Sequence, residues 1–93
     1  MSVVIINALQ VPRGQEKTVE NSFVDRKLAI LGQPGLQDFR LLRPIEGEKR
    51  YYVMSRWESR HHFENWVGGP QHHAAHDHGE IGELLVFETV ELG

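Results

Sequence analysis

The sequence contains no cysteine. Disulfides, thiol nucleophiles, zinc ribbons and thiolate-held metal clusters are thereby excluded together, and the cytoplasm is the expected compartment. Charge of one sign is not in excess either: 10 Lys and Arg against 13 Asp and Glu leave a net charge of −3. That balance gives no basic surface for nucleic acid, and no nucleic-acid partner is expected. No apolar run is long enough to span a bilayer, and the apolar N-terminus, MSVVIINALQV, lacks a basic leader and a small-residue cleavage site. It reads as a strand, and no membrane partner is expected. Linkers, repeats and low-complexity segments are also missing, so residues 1–93 are expected to form a single domain.

What is present is an ordinary globular composition, 40% apolar and 25% charged, with six histidines, four of them between positions 72 and 78. Residues 2–11 carry apolar side chains on both parities (Val3, Ile5, Leu9 and Val4, Ile6, Ala8), as a strand buried on two faces does. Pro12, Arg13 and Gly14 end it. Val19, Phe23 and Ile30, with Leu31 beside them, then recur at helical spacing, predicting a helix over about 15–32 that Gly32, Pro34 and Gly35 stop. Alternation over Gln37–Pro44 and Tyr51–Trp57 around Glu46-Gly47-Glu48 predicts a hairpin. Ser59 is placed to cap a second helix over about 60–68, with Phe63 and Trp66 on one face. A closing strand is expected from Leu84 to Leu92.

The order β-α-β-β-α-β predicts an α+β, ferredoxin-like fold, an antiparallel sheet with two helices on one face. Its second face needs cover, because the strands are apolar on both sides. A second copy packed sheet to sheet, a homodimer forming a dimeric α+β barrel, supplies it. A partner subunit also helps so small a core to enclose a pocket of roughly 300–1,000 Å³.

A few residues are candidates for chemistry. Asn7 interrupts an apolar strand face, and an unpaired buried amide costs roughly 1–3 kcal/mol, so it either bonds a neighbouring loop or aims a donor into a pocket. His72, His73, His76 and His78 are available ligands, and His72 and His76 would share a helical face; a solvated tract, a single axial ligand and a multi-histidine ion site all fit. Trp66 and Trp57 read first as core. Arg26, beside Phe23, reads as a side chain reaching outward from the core edge or as a partner for an acidic ligand group.

Over VVIINALQVP at 3–12, GLQDFRLLRPIEGEKRYYVMSRWES at 35–59 and FENWVGGP at 63–70, the chain resembles the antibiotic biosynthesis monooxygenase (ABM) superfamily. Within it, the chain is most similar to the IsdG-type haem-degrading monooxygenases, including their mycobacterial branch. The resemblance implies a pocket lined by Asn7, Trp66 and His76, the last ten residues after the tryptophan, within AAHDH. An extra residue between Pro70 and Ala75, relative to the mycobacterial type, leaves His72, His73 and His78 as alternative ligands.

The implied activity opens haem, both cofactor and substrate, to a linear tetrapyrrole and releases iron, using O2 and an external electron donor, a reductase or a small reductant. His76 is the implied axial ligand, Asn7 the donor to the oxygen species and Trp66 the residue that distorts the macrocycle, with Phe23 and Arg26 as further haem contacts. Only about seven residues separate His76 from the closing strand, fewer than in the haem degraders, which implies a more exposed haem edge. Two other readings stand beside this one. The first is a cofactor-independent ABM monooxygenase acting on a quinol or polycyclic aromatic; the second is a haem- or metal-binding module without turnover.

Overall fold

A computed structural model of the chain describes residues 2–67 and 83–93. Among them, six elements follow in the order β1 (Val3–Leu9), α1 (Glu16–Ile30), β2 (Leu36–Leu42), β3 (Tyr51–Trp57), α2 (Arg60–Val67) and β4 (Glu83–Glu88). The strands form one sheet in the order β2-β3-β1-β4, every neighbouring pair antiparallel, which is the expected ferredoxin-like arrangement.

Parity assigns the faces of the sheet. Val3, Ile5 and Leu9 of β1 are buried against the helices, and their partners across the ladder are Trp57, Ser55 and Tyr51 of β3. On β2 the same face is reached through an irregularity. The register shifts between Leu36 and Asp38, so Leu36, although of the other parity, joins Phe39 in packing against the core.

Two clusters make up that core. In one, Val3, Ile5, Ile30, Trp57 and Phe63 pack with Leu36, Phe39 and Trp66; in the other, Leu9, Phe23 and Tyr51 pack with Val19, Leu41 and Val53. The first helix is shorter than its apolar spacing suggested. Gly32, at φ +91°, turns the chain after Ile30, and Leu31 lies outside the helix and exposed.

Caps and ion pairs hold the helices in place. The Ser59 hydroxyl accepts the His62 N–H at 3.3 Å and pairs with His62 Nδ1 at 2.7 Å, so the expected cap on α2 is made. The His62 ring in turn lies over Gly35, where a Cβ would come within 2.3 Å of it. At the other helix, Arg43 and the Tyr51 hydroxyl both donate to the Glu20 carboxylate, fastening the hairpin to α1. Arg43 and then Tyr51 draw the Glu20 carboxyl down to about 2, and the same bond pushes the Tyr51 hydroxyl up.

The closing strand stops short of Leu92. Its ladder ends where β1 ends, with Val3 opposite Glu88, and one further bond runs from Thr89 N–H to Ser2 O at 3.0 Å. Val90 and Leu92 therefore lie beyond the sheet and are exposed. The histidine tract, with His72, His73, His76 and His78, lies outside the described residues.

Candidate functional site

The helix-facing side of the sheet is a set of rows running across the strands. Directly paired residues of antiparallel strands share a face. One row is therefore Leu41, Val53, Asn7 and Leu84, and the next is Phe39, Ser55, Ile5 and Val86. At the β2, β3 and β1 end the helices cover these rows: Phe23 of α1 stacks on Phe39 at 6.5 Å, and Phe63 of α2 meets Trp57 edge-on at 6.1 Å. At the β4 end the cover by described residues stops. Leu84 is 54% and Val86 41% exposed, although both lie on the face that is buried elsewhere.

Asn7 stands at that border. It is half-buried, with Ile5 of one cluster and Leu9 of the other as its same-face neighbours along β1, and Val53 and Leu84 on either side of it. Among the described residues, no hydrogen bond reaches its carboxamide. An amide there keeps two N–H donors and a carbonyl, neutral at every relevant pH, at the edge of an apolar surface.

The other candidates approach from the two helices. Trp66, on the last turn of α2, is half-buried and tilts on Trp57 at 5.6 Å and on Phe63 at 6.5 Å. It extends the first cluster, as a core aromatic does. Trp57 itself is fully buried and structural, as expected, its indole N–H donating to the Ser55 hydroxyl at 3.0 Å. Phe23 is buried in the second cluster, and the half-buried Arg26 guanidinium sits 4.5 Å from the centre of its ring. Asn7 thus lies between the cluster that Trp66 joins and the cluster that Phe23 joins. His76 and its three neighbours fall outside the described residues, and among the described residues no group of histidines and carboxylates is arranged to hold a metal ion.

The apolar strip of Leu84 and Val86 was not singled out from the sequence. Alternation put both on one parity of the closing strand. Alternation alone does not show that this parity is exposed, at 54% for Leu84 and 41% for Val86.

These features sit on a chain whose residues 2–78 match the family model for antibiotic biosynthesis monooxygenases. The chain belongs to that family. Among curated relatives, a Mycobacterium tuberculosis heme oxygenase (mycobilin-producing) is 42% identical over 95 residues, spanning 97% of this chain and 90% of the relative. Among solved structures, the heme degrader MhuD of M. tuberculosis, with two hemes bound in its active site, superposes with a TM-score of 0.82 at 40% identity, covering 98% of this chain and 99% of that one. SnoaB, a cofactor-independent oxygenase from Streptomyces nogalater, shares the ABM fold at a TM-score of 0.77 and 22% identity, over 97% of this chain and 94% of its own. That likeness is one of fold alone.

Proposed function

We propose that this ABM protein is a haem-degrading monooxygenase, residues 1–93 forming one domain, with haem as both substrate and cofactor. The observation that carries the reading is the open apolar strip beside Asn7, on a chain 42% identical to a mycobilin-producing heme oxygenase. A porphyrin is a broad, flat, largely apolar plate, and the exposed side chains of Leu84 and Val86, beside Asn7 and Ile5 on the ladder, offer it a surface of the same kind.

Bound haem supplies redox-active iron and the carbon skeleton to be oxidised; with O2 and electrons from a reductase or small reductant, the ring opens at a meso position to a linear tetrapyrrole and iron is released. The residues divide the remaining work. Asn7 donates an N–H toward the oxygen species, a hydrogen bond that a bound macrocycle shields from water. Trp66 bears on the macrocycle from α2, its ring backed by Trp57 and Phe63. Phe23 supports the opposite flank, and Arg26 offers its guanidinium to a propionate. His76 binds the iron through neutral imidazole, with His72, His73 and His78 as the alternatives.

Haemin titration tests the reading. A Soret band is expected in the wild type and in His61→Ala, and is expected to be lost or greatly weakened in His76→Ala. If His72→Ala or His73→Ala is the damaging change instead, the axial ligand moves to that residue. A wild-type protein that forms no Soret complex, or forms one that ascorbate and O2 leave intact, overturns haem degradation.

The outer face of the sheet supports a homodimer. Val4, Ile6, Met54 and Leu85 are half-buried there, and Phe87 is 49% exposed, an apolar surface that a second copy packed sheet to sheet covers. Light scattering at micromolar concentration is expected to give the dimer mass, and a monomer there overturns the barrel. Among the described residues no helix is long and apolar enough to cross a membrane. A cysteine-free chain fits the reducing cytoplasm, the compartment we propose.

A further inference from the structure

We infer that Leu84 is a specificity-determining residue of this site: it is the wall that fixes how a flat macrocycle lies relative to the Asn7 carboxamide, and so which edge of the ring the amide faces. The inference rests on the haem reading above and adds a residue to it.

The geometry begins with the ladder. Leu84 is paired directly with Asn7 across β1 and β4, and directly opposed residues of an antiparallel pair keep their Cβ atoms about 4.5–5.5 Å apart on one face. A flat substrate with an atom in hydrogen-bond reach of the amide is therefore wide enough to lie against the leucine as well. On the opposite side of Asn7 stands Val53, packed into the second cluster. The amide is thus bracketed by a fixed wall and an open one.

Exposure separates the two walls. Val53 is half-buried and held by Leu9, Phe23 and Tyr51, whereas Leu84 is 54% exposed within a regular strand. A leucine left that open on the helix-facing side of a sheet forgoes the stabilisation that burial gives the other apolar residues of that face. A ligand that lies against it recovers that energy on binding. Val86, one row along beside Ile5, continues the surface.

The chemistry then follows from shape. A macrocycle held by a propionate at Arg26 can still pivot or flip over about that contact at little cost unless a side chain beside the reacting position obstructs some orientations. Asn7 selects polarity, not orientation. A branched apolar side chain adjacent to it supplies the steric discrimination, and one or two methylene contacts in an apolar pocket are worth on the order of tenfold in selectivity.

Two readouts test this. The first uses metal-free protoporphyrin IX, which has no iron for any histidine to bind, titrated against intrinsic tryptophan fluorescence. Leu84→Ser is expected to weaken its binding by about tenfold, while Leu28→Ser, on an exposed face of α1, leaves it unchanged. The second is the ratio of linear tetrapyrrole isomers formed from haemin with ascorbate, resolved by chromatography. Leu84→Ala and Leu84→Phe, which open and crowd the same wall, are both expected to shift that ratio, on the order of tenfold.

Unchanged protoporphyrin affinity in Leu84→Ser, or an unchanged isomer ratio in both other variants, overturns the inference while leaving haem degradation standing. Failure of the wild type to bind haemin overturns both. If Leu84→Ala is not recovered folded, Leu84→Val, which trims the same wall by one methylene, carries the comparison.

Discussion

The two ends of the helix-facing surface make an instructive pair. Over β2, β3 and the outer parts of β1, aromatic rings from α1 and α2 close on the sheet, and Trp57 has no exposed surface at all. Over β4 the same face, built from the same kinds of residue, stands open at Leu84 and Val86. The chemical content of the two regions is similar; the difference is what lies above them. Buried apolar surface stabilises the fold, and the same surface left uncovered is available to a ligand. Asn7 lies on the line between them.

That division predicts that substitutions in the covered region register in stability, and those at the border in turnover. The largest effect is expected from Trp57→Ala. Removing a fully buried indole that three other side chains use as a partner (Phe63, Trp66 and, through its N–H, Ser55) should cost about 3–5 kcal/mol, seen as a large drop in the denaturant midpoint. A change well under that would mean the region is not the packed half.

Asn7→Ala is expected to lower ascorbate-driven haem loss by roughly 10²–10³ while keeping a Soret band, on the scale of other single preorganised donors. Its melting curve should stay near wild type, since no described residue depends on the amide for a hydrogen bond. A well-folded variant with unchanged turnover would remove Asn7 from the chemistry. Ser59→Ala removes the cap of α2 and should cost about 1 kcal/mol by chemical denaturation, a loss confined to the covered region.

A smaller effect concerns pH. The Glu20 carboxyl lies at about 2 in the fold against an ordinary 4.5, held down by Arg43 and then Tyr51. A depressed carboxyl contributes stability in full above its unfolded value, and that contribution disappears as the pH falls through the folded one. Wild type should therefore lose stability faster than Glu20→Gln between about pH 4.5 and about pH 2, with the difference flat above that window. Equal slopes for the two proteins would show that the Arg43–Glu20–Tyr51 contact does not stabilise the fold. Leu28→Ser, on the outward side of α1, should change stability by less than about 0.5 kcal/mol.

Much of this was legible in the sequence because it rests on local chemistry. Period-two and helical spacings located the six elements among the described residues, Ser59 announced a cap that the structure makes, and the break in an apolar strand marked Asn7. Leu36 was missed as a core contact because a one-residue shift in the β2 ladder reverses its parity, and no alternation pattern contains the register of the neighbouring strand. The closing strand was read four residues too long for a related reason. Val90 and Leu92 continue the alternation, but a strand extends only as far as its partner, and β1 begins at Val3.

The sequence by itself determined the elements, their order, the apolar parity of β1, β3 and β4 and the family to which the chain belongs, because side-chain shape and spacing act on the chain locally. Only the tertiary structure decided which parity is sealed and which stays open, since burial depends on the element that comes to rest above a residue. Leu84 and Leu9 have the same side chain and both lie on the helix-facing side of the sheet, yet one is 54% and the other 3% exposed. That contrast in burial on one face gives the protein its candidate site.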